Sequence, residues 1–316
     1  MEKIDMYFEN IKGQEFAKKY MINSINKGKI NHAYMFEGIE GIGKETFAYD
    51  LAKILLETPH LENAPDCIRV KPEGNSIKIA QIRNLQSDIV IKPHKKYKIY
   101  IIDKAEKMTV EAQNALLKTL EEPPEYAIII LVTNNKEGLL PTIRSRCEIV
   151  KFTPIPFIEI KNYLINQGIE PNRANLLSSF SRGSMKKALE LASSNEFYEM
   201  KENVQKYIET ILSKNMVEIL DIPTQIEQYK GEIINVLDMM INYFRDIMIC
   251  KEHVNKSMII NADKLVFIQN MSSKITYSQV SKIIDIIEDT KIKIKGNCNF
   301  NVSIQVMSLN IYEVIK

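Results

Sequence analysis

The sequence predicts an α/β domain, a parallel sheet with helices on both faces, followed by a small helical domain and a larger all-α domain. Short, nearly unbroken apolar runs recur in the first half of the chain, separated by stretches whose apolar residues have helical spacing. Strands of this kind, alternating with helices, are typical of parallel sheets that are covered on both faces. Beyond about residue 156 strand-like runs are few, and the spacing mainly predicts helices.

Four apolar runs are the predicted core strands, and they cover residues 33–36, 98–103, 127–132 and 148–152. Residues 45–57 have helical spacing, and a second helix is expected after a cap at Thr109. The proline-rich segment 153–156 indicates a domain boundary. We therefore expect the α/β domain over residues 1–155, the small helical domain over 156–197 and the larger helical domain over 198–316.

Size and composition limit the classes of protein to consider. A chain of 316 residues suits two or three domains, and 45% hydrophobic with 26% charged residues is typical of a globular protein. The balance of 42 basic and 40 acidic residues argues against a histone-like role for the whole chain, although it leaves a local basic face toward DNA open. No run approaches the roughly 18 apolar residues of a membrane span, so we expect no membrane partner.

Cysteine usage and the N-terminus indicate the compartment. The four cysteines lie far apart without a CxxC pair, which is typical of a reduced, cytoplasmic protein and does not favour a zinc site. Residues 1–19 lack the apolar core of a signal peptide. We therefore expect a cytoplasmic protein without zinc.

A phosphate-binding loop is predicted between the first strand and the helix that follows it. Gly38, Gly41, Gly43 and Lys44 have the spacing of the first seven positions of the phosphate-loop pattern. Glycines let backbone N–H groups turn around an anion, the helix N-terminus adds partial positive charge, and Lys44 adds a full charge. We therefore expect a site for ATP or ADP, with a solvent-facing glycine turn as the simpler alternative.

Two positions of this site carry residues that do not suit hydrolysis. The position after Lys44 normally holds a Ser or Thr hydroxyl that binds Mg²⁺, but here it is Glu45. Thr46 comes one residue later, and one residue along a helix is a rotation of about 100°, so it does not simply substitute. We therefore expect a degenerate site in which nucleotide binding is compromised.

The second altered position follows the strand 98–103. Asp103 stands where phosphate-loop enzymes place the aspartate that holds Mg²⁺. The next residue is Lys104, and a protonated lysine cannot act as a general base. Glu106 is a candidate replacement, but we favour its interpretation as a solvated residue at the start of a helix.

Several motifs together resemble the bacterial clamp-loader subunits of DNA polymerase III, which are AAA+ proteins. The resemblance is strong over residues 10–190 and weak beyond. It is carried by residues 31–36, 103–109, 112–124, 142–147 with Ser145-Arg146-Cys147, and 183–189. Residues 72–79 and 81–83 resemble the delta-prime branch of that family in particular.

The resemblance implies roles for three residues. Arg146 would be an arginine finger that reaches ATP held by a neighbouring subunit, with a structural ion pair as the alternative. Asn134 resembles the polar sensor of the γ-phosphate, or is a turn residue after a strand. Lys186 resembles the sensor of the helical lid domain, or is a solvated helix residue.

The resemblance also implies partners and an activity. It predicts a largely non-hydrolysing subunit that joins gamma/tau and delta subunits through a helical collar and helps to load a sliding clamp onto primer-template DNA. The alternative within the family is an ATP-hydrolysing subunit of gamma/tau type. A nucleoside kinase or a separate DNA-binding regulator fits the motifs less well. The zinc module of many members is not expected, because the segment 57–66 is short and only Cys67 lies nearby.

A basic run precedes the second predicted core strand. It consists of Lys92, His94, Lys95, Lys96 and Lys98. Such runs are usually solvated loops, but one that faced a central channel would contact DNA phosphates in a salt-dependent way.

Overall fold

A five-stranded parallel sheet forms the centre of the first half of the chain. The computed structural model describes residues 8–9, 11–61, 64–213, 215–252 and 259–316, so the prediction about a signal peptide falls partly outside the described residues. The strands are β1 (Ala33–Glu37), β2 (Cys67–Val70), β3 (Lys98–Ile102), β4 (Ala127–Thr133) and β5 (Glu148–Lys151), in the order β2-β3-β4-β1-β5. All of the pairings are parallel, which confirms the predicted fold class.

Four of these strands were predicted to within one residue at each end, whereas β2 was not predicted. Every residue of β3 and β4 is buried, which explains their unbroken apolar runs. Strand β2 lies at the edge of the sheet, is only four residues long and is partly buried at three of them. A four-residue edge strand interrupted by Arg69 gives no apolar run to detect.

Among the described residues, one α-helix precedes β1 and four connect consecutive strands. They are α1 (Glu15–Asn26), α2 (Lys44–Leu55), α3 (Ile79–Ile89), α4 (Val110–Glu121) and α5 (Pro141–Arg144). The predicted cap of α4 is confirmed, because the Thr109 hydroxyl accepts a hydrogen bond of 3.3 Å from the Ala112 N–H. Prolines 123 and 124 follow the end of α4, as expected of residues that cannot continue a helix.

The remaining elements are helical, as the sequence predicts. They are α6 (Phe157–Asn166), α7 (Pro171–Phe180), α8 (Met185–Ser193), α9 (Asn195–Ser213), α10 (Met216–Ile226), α11 (Ile233–Lys251), α12 (Leu265–Lys274), α13 (Tyr277–Lys295) and α14 (Phe300–Ile315). Thr276 caps α13, since its hydroxyl accepts from the Gln279 N–H at 3.3 Å. No helix in the described part of the chain is long and apolar enough to cross a membrane.

The described residues divide into two compact units. The first contains those up to Ile160 together with Ser181–Ala188, and the second contains Lys161–Phe180 and Leu189–Lys316. In the second unit α11 packs against α13, and α13 packs against α14. The division into three domains at residues 155 and 197 stays a prediction.

An aromatic cluster fixes α2, the helix that follows the phosphate loop, against the sheet. Phe47 on α2 is fully buried and stacks on Phe8 with ring centroids 4.3 Å apart. It also meets Phe36 of β1 and Phe152 edge to face, at 5.5 and 5.2 Å. Edge-to-face pairs of this kind add to the stability gained by burying apolar area.

Replacing Phe47 by alanine should therefore destabilise the first unit strongly. The variant loses buried area and leaves a cavity, which costs about 3–5 kcal/mol. Phe16→Ala is the matched control, because Phe16 is 68% exposed. Urea denaturation followed by circular dichroism should show a large decrease in the midpoint for Phe47→Ala and almost none for Phe16→Ala; equal shifts would contradict the assigned packing.

Candidate functional site

The predicted phosphate loop lies between β1 and α2, at the carboxyl edge of the sheet. Gly38 must lack a side chain, because a Cβ there would lie 2.5 Å from the carbonyl oxygen of Phe152. Gly41 has a φ of +80°, and a Cβ on it would collide with Ser184 and Lys186. Gly43 precedes the first turn of α2, which begins at Lys44. The loop geometry thus depends on the glycines that the pattern selected.

Lys44 is buried, and its ammonium donates three hydrogen bonds within the protein. Nζ donates hydrogen bonds to the carbonyl oxygens of Gly38 and Ile39, both at 2.6 Å, and to Oδ1 of Asn134 at 2.9 Å. Burial lowers the pKa of Lys44 to about 8, although the charges of Glu106, Glu40 and Asp103 oppose that shift. The sequence predicted that Lys44 and Asn134 belong to one site, and the structure brings them into direct contact.

The carboxylate of Glu40, which belongs to the phosphate loop, forms ion pairs with two further lysines. Oε1 of Glu40 lies 3.0 Å from Nζ of Lys186 and 3.7 Å from Nζ of Lys104. The hydrogen bond from Lys186 is the main reason that the pKa of Glu40 lies below its usual value. The backbone N–H of Lys186 also donates to the carbonyl oxygen of Gly41 at 3.1 Å. Lys186 therefore belongs to the site, and its side chain contacts the loop carboxylate.

Arg69 was not among the predicted site residues, yet it joins two of them. Its Nη2 contacts Oε1 of Glu45 and lies 3.2 Å from Oδ2 of Asp103. Sequence reasoning missed Arg69 because it lies on the unpredicted edge strand β2. Thr46, on the first turn of α2, is exposed. Mg²⁺ does not fit this arrangement, since both carboxylates that would face the metal already form ion pairs with one guanidinium.

Glu106 faces the site, so its interpretation as a solvated residue was wrong. Its carboxylate accepts a hydrogen bond of 2.8 Å from the Thr133 hydroxyl and one of 3.3 Å from the Asn134 N–H. The reason is the backbone of Lys104, whose φ of +50° turns the chain before the short 3₁₀ helix Ala105–Lys107. This turn directs Glu106 back to the end of β4.

Arg146 follows α5 and lies on the surface of the first unit. Its side chain is 34% exposed, and Nη2 forms an ion pair of 2.7 Å with Glu121 at the end of α4. Nη1 donates to the carbonyl oxygen of Thr142 at 3.0 Å. Both partners belong to the region of α4 and α5, so the structure does not join Arg146 to the phosphate loop of its own chain.

The basic run before β3 is only partly a surface feature. Lys92, Lys95 and Lys96 are exposed, but Lys98 is buried and forms an ion pair of 2.8 Å with Asp88. Lys98 therefore cannot take part in a DNA-contacting loop. In the described part of the chain no group of three or more His, Cys, Asp or Glu side chains is placed to hold a metal ion. The absence of zinc stays a prediction.

The ammonium of Lys44 should lose its proton near pH 8, rather than near its usual value of 10.5, because burial disfavours the charged form. The positive charge of the loop should fall as the pH rises through 8. The measurement is an NMR titration of ¹³Cε-labelled lysines, with Lys44→Ala used to assign the signal. A Lys44 signal that titrates near 10.5 would show that the side chain is not buried in this way.

Comparisons with known proteins identify the family of this chain. The family model described as DNA polymerase III, delta subunit, matches residues 13–156. DNA polymerase III subunit delta' of Bacillus subtilis is 32% identical, over 90% of this chain and 92% of the relative. Subunit gamma of Buchnera aphidicola subsp. Baizongia pistaciae is 30% identical, over 90% and 79%. Subunit tau of Bacillus subtilis is 29% identical over 77% of this chain, which spans 50% of its length. The chain therefore belongs to the family of clamp-loader subunits of DNA polymerase III.

Proposed function

We propose that this chain is a delta-prime-type subunit: an AAA+ scaffold that hydrolyses little or no ATP and provides Arg146 to ATP on a neighbouring subunit. Its partners would be gamma/tau and delta subunits, and through them a sliding clamp and primer-template DNA. The helical lid domain (156–197) and the collar domain (198–316) would connect it to those neighbours. The chain would thus contribute to clamp loading during replication without supplying the energy for it.

The observation that carries this proposal is the lysine at position 104. Hydrolysis needs a group at the end of strand β3 that orients or deprotonates the attacking water. A protonated lysine cannot act as a general base, and Nζ of Lys104 lies 3.7 Å from the loop carboxylate Glu40. A subunit with this residue depends on its neighbours for catalysis.

The surroundings of Arg146 support a role at an interface. A guanidinium is permanently charged and binds phosphate oxygens through a rigid fork. Among the described residues, the carboxylate that Arg146 would leave is that of Glu121, which is about half exposed, so the ion pair is worth about 1 kcal/mol or less. An arginine finger increases the rate of hydrolysis by a factor on the order of 10³ or more. Expressed as a free energy, this gain exceeds the cost of breaking the ion pair with Glu121.

The phosphate loop would be a degenerate nucleotide site. The backbone around Gly38, Gly41 and Gly43, with Lys44, would hold the phosphates of ATP or ADP, and Thr46, Asn134 and Lys186 would lie around them. A phosphate would have to replace the carbonyl and amide acceptors that now surround Lys44. Weak binding without turnover is therefore the proposed property of this site, and Asp103 would have no catalytic role in it.

The alternative, an ATP-hydrolysing subunit of gamma/tau type, rests on Glu106. Its carboxylate is held by Thr133 and Asn134 at the same edge of the sheet as the phosphate loop. A carboxylate there is a candidate general base if it is freed from these donors.

In a complex reconstituted with gamma-type and delta subunits, Arg146→Ala should reduce the DNA-stimulated ATPase rate about 10³-fold at the site beside this chain. Because the complex contains several ATP sites, the decrease in rate at this one site should be measured by single-turnover hydrolysis at this interface. Arg144→Ala is the matched control, because Arg144 pairs with Glu137 at 2.6 Å in the same segment and should leave the rate unchanged. Equal effects of the two substitutions would contradict the finger role.

The isolated chain should show no steady-state ATPase activity above that of Lys44→Ala, with Mg²⁺ and primed DNA present. The reason is the absence of a general base next to Asp103. Glu106→Gln distinguishes the non-hydrolysing subunit from the gamma/tau type. Wild-type activity that disappears in both Lys44→Ala and Glu106→Gln would establish Glu106 as the base and favour the gamma/tau-type function.

A further inference from the structure

We propose that the guanidinium of Arg69 takes the place of Mg²⁺ in the phosphate-loop site, so that this chain excludes divalent cations from it. A single nitrogen of Arg69 contacts Glu45 and Asp103 together. These two residues occupy the positions that provide the hydroxyl and the aspartate of a magnesium site. The positive charge of the guanidinium therefore lies between the two carboxylates, where a magnesium ion would lie.

The topology explains how Arg69 reaches this point. Strand β2 pairs with β3 in parallel, with Arg69 opposite Ile101, two residues before Asp103. Glu45 is in the first turn of α2, above the same edge of the sheet. The guanidinium lies over the ring of Tyr49, 5.0 Å from its centroid, which adds a cation–π contact from α2. Strand β2 and helix α2 thus hold the charge in position.

Competition between Arg69 and a free cation favours the arginine. Mg²⁺ gives up its water reluctantly and requires near-octahedral oxygen ligands at about 2.0–2.1 Å. The guanidinium is tethered, and a tethered group acts at an effective concentration on the order of millimolar or more. It is also always charged, so a change of pH in the physiological range does not release it. A cation would have to displace Arg69 and pay for its own dehydration.

The carboxylate of Glu45 remains reachable from solvent if Arg69 is removed. A cavity of about 670 Å³ beside α2 is lined by Glu45, Tyr49 and Arg69, among other residues. A hydrated cation could therefore enter from this side. Without Arg69, Glu45 and Asp103 would carry two unpaired negative charges close together, which is a ligand set that Mg²⁺ and Mn²⁺ accept.

This inference rests on the proposed function only in treating the phosphate loop as a non-hydrolysing site. The two can fail separately, because the arginine-finger role is measured in the complex and cation exclusion is measured on the isolated chain without nucleotide.

The test is a titration of the full chain with Mn²⁺, followed by electron paramagnetic resonance of the free ion. Wild type should show no saturable binding, whereas Arg69→Gln should gain one saturable site per chain. The added substitution Asp103→Asn should remove that site. Arg83→Gln is the matched control, since Arg83 is exposed on α3 and its loss should change nothing.

Two results would overturn the inference. One is saturable binding by wild type that Asp103→Asn removes, because the metal would then share the site with Arg69. The other is equal Mn²⁺ binding by wild type and a folded Arg69→Gln, as judged by circular dichroism. If Arg69→Gln does not fold, the wild-type titration against Asp103→Asn decides: a site lost on substitution overturns the inference, and no site in either supports it.

Discussion

The parallel pairing of β1, β3 and β4 is the constraint on which the candidate site depends. Glu37 at the end of β1 pairs with Thr133 at the end of β4, and Ile102 at the end of β3 pairs with Leu131. Because parallel strands end at one edge, the residues that follow them must meet there. The phosphate loop, Asp103 and Asn134 come together for this reason, and the burial of β3 and β4 keeps the register from shifting.

At this edge the charges of the site are satisfied by one another. Glu40 forms ion pairs with two lysines, and Arg69 forms ion pairs with two carboxylates. Lys44 is surrounded by oxygen acceptors. Buried or partly buried charges are costly unless they are paired, so this network maintains the loop without any ligand. A hydrolysing site must instead leave charges unsatisfied for the phosphates and the metal. The network is therefore a physical reason for the low ATPase activity that we propose for this chain.

Most of the fold could be predicted from the sequence, because buried strands and capped helices leave periodic signals. Lys44 and Asn134 were also predicted to belong to one site. Arg69 was not, since its partners lie 24 and 34 residues away and its strand carries no apolar run. Glu106 was misinterpreted because a left-handed backbone at Lys104, which lysine rarely adopts, redirects the chain. Ion pairs across long sequence distances and single backbone angles are the features that a pattern of residue types does not encode.

The two arginines differ in how strongly the protein holds them, and the difference matches their proposed roles. Arg69 bridges two carboxylates, and that of Asp103 is only 12% exposed, so moving the guanidinium would leave a poorly hydrated charge without a partner. Arg146 pairs with Glu121, which is 49% exposed and would be hydrated as soon as the arginine left. Exposed pairs of this kind contribute about 0–1 kcal/mol. The protein thus holds Arg69 tightly within the phosphate-loop site. It holds Arg146 weakly, as the proposed contact with a nucleotide on a neighbouring subunit requires.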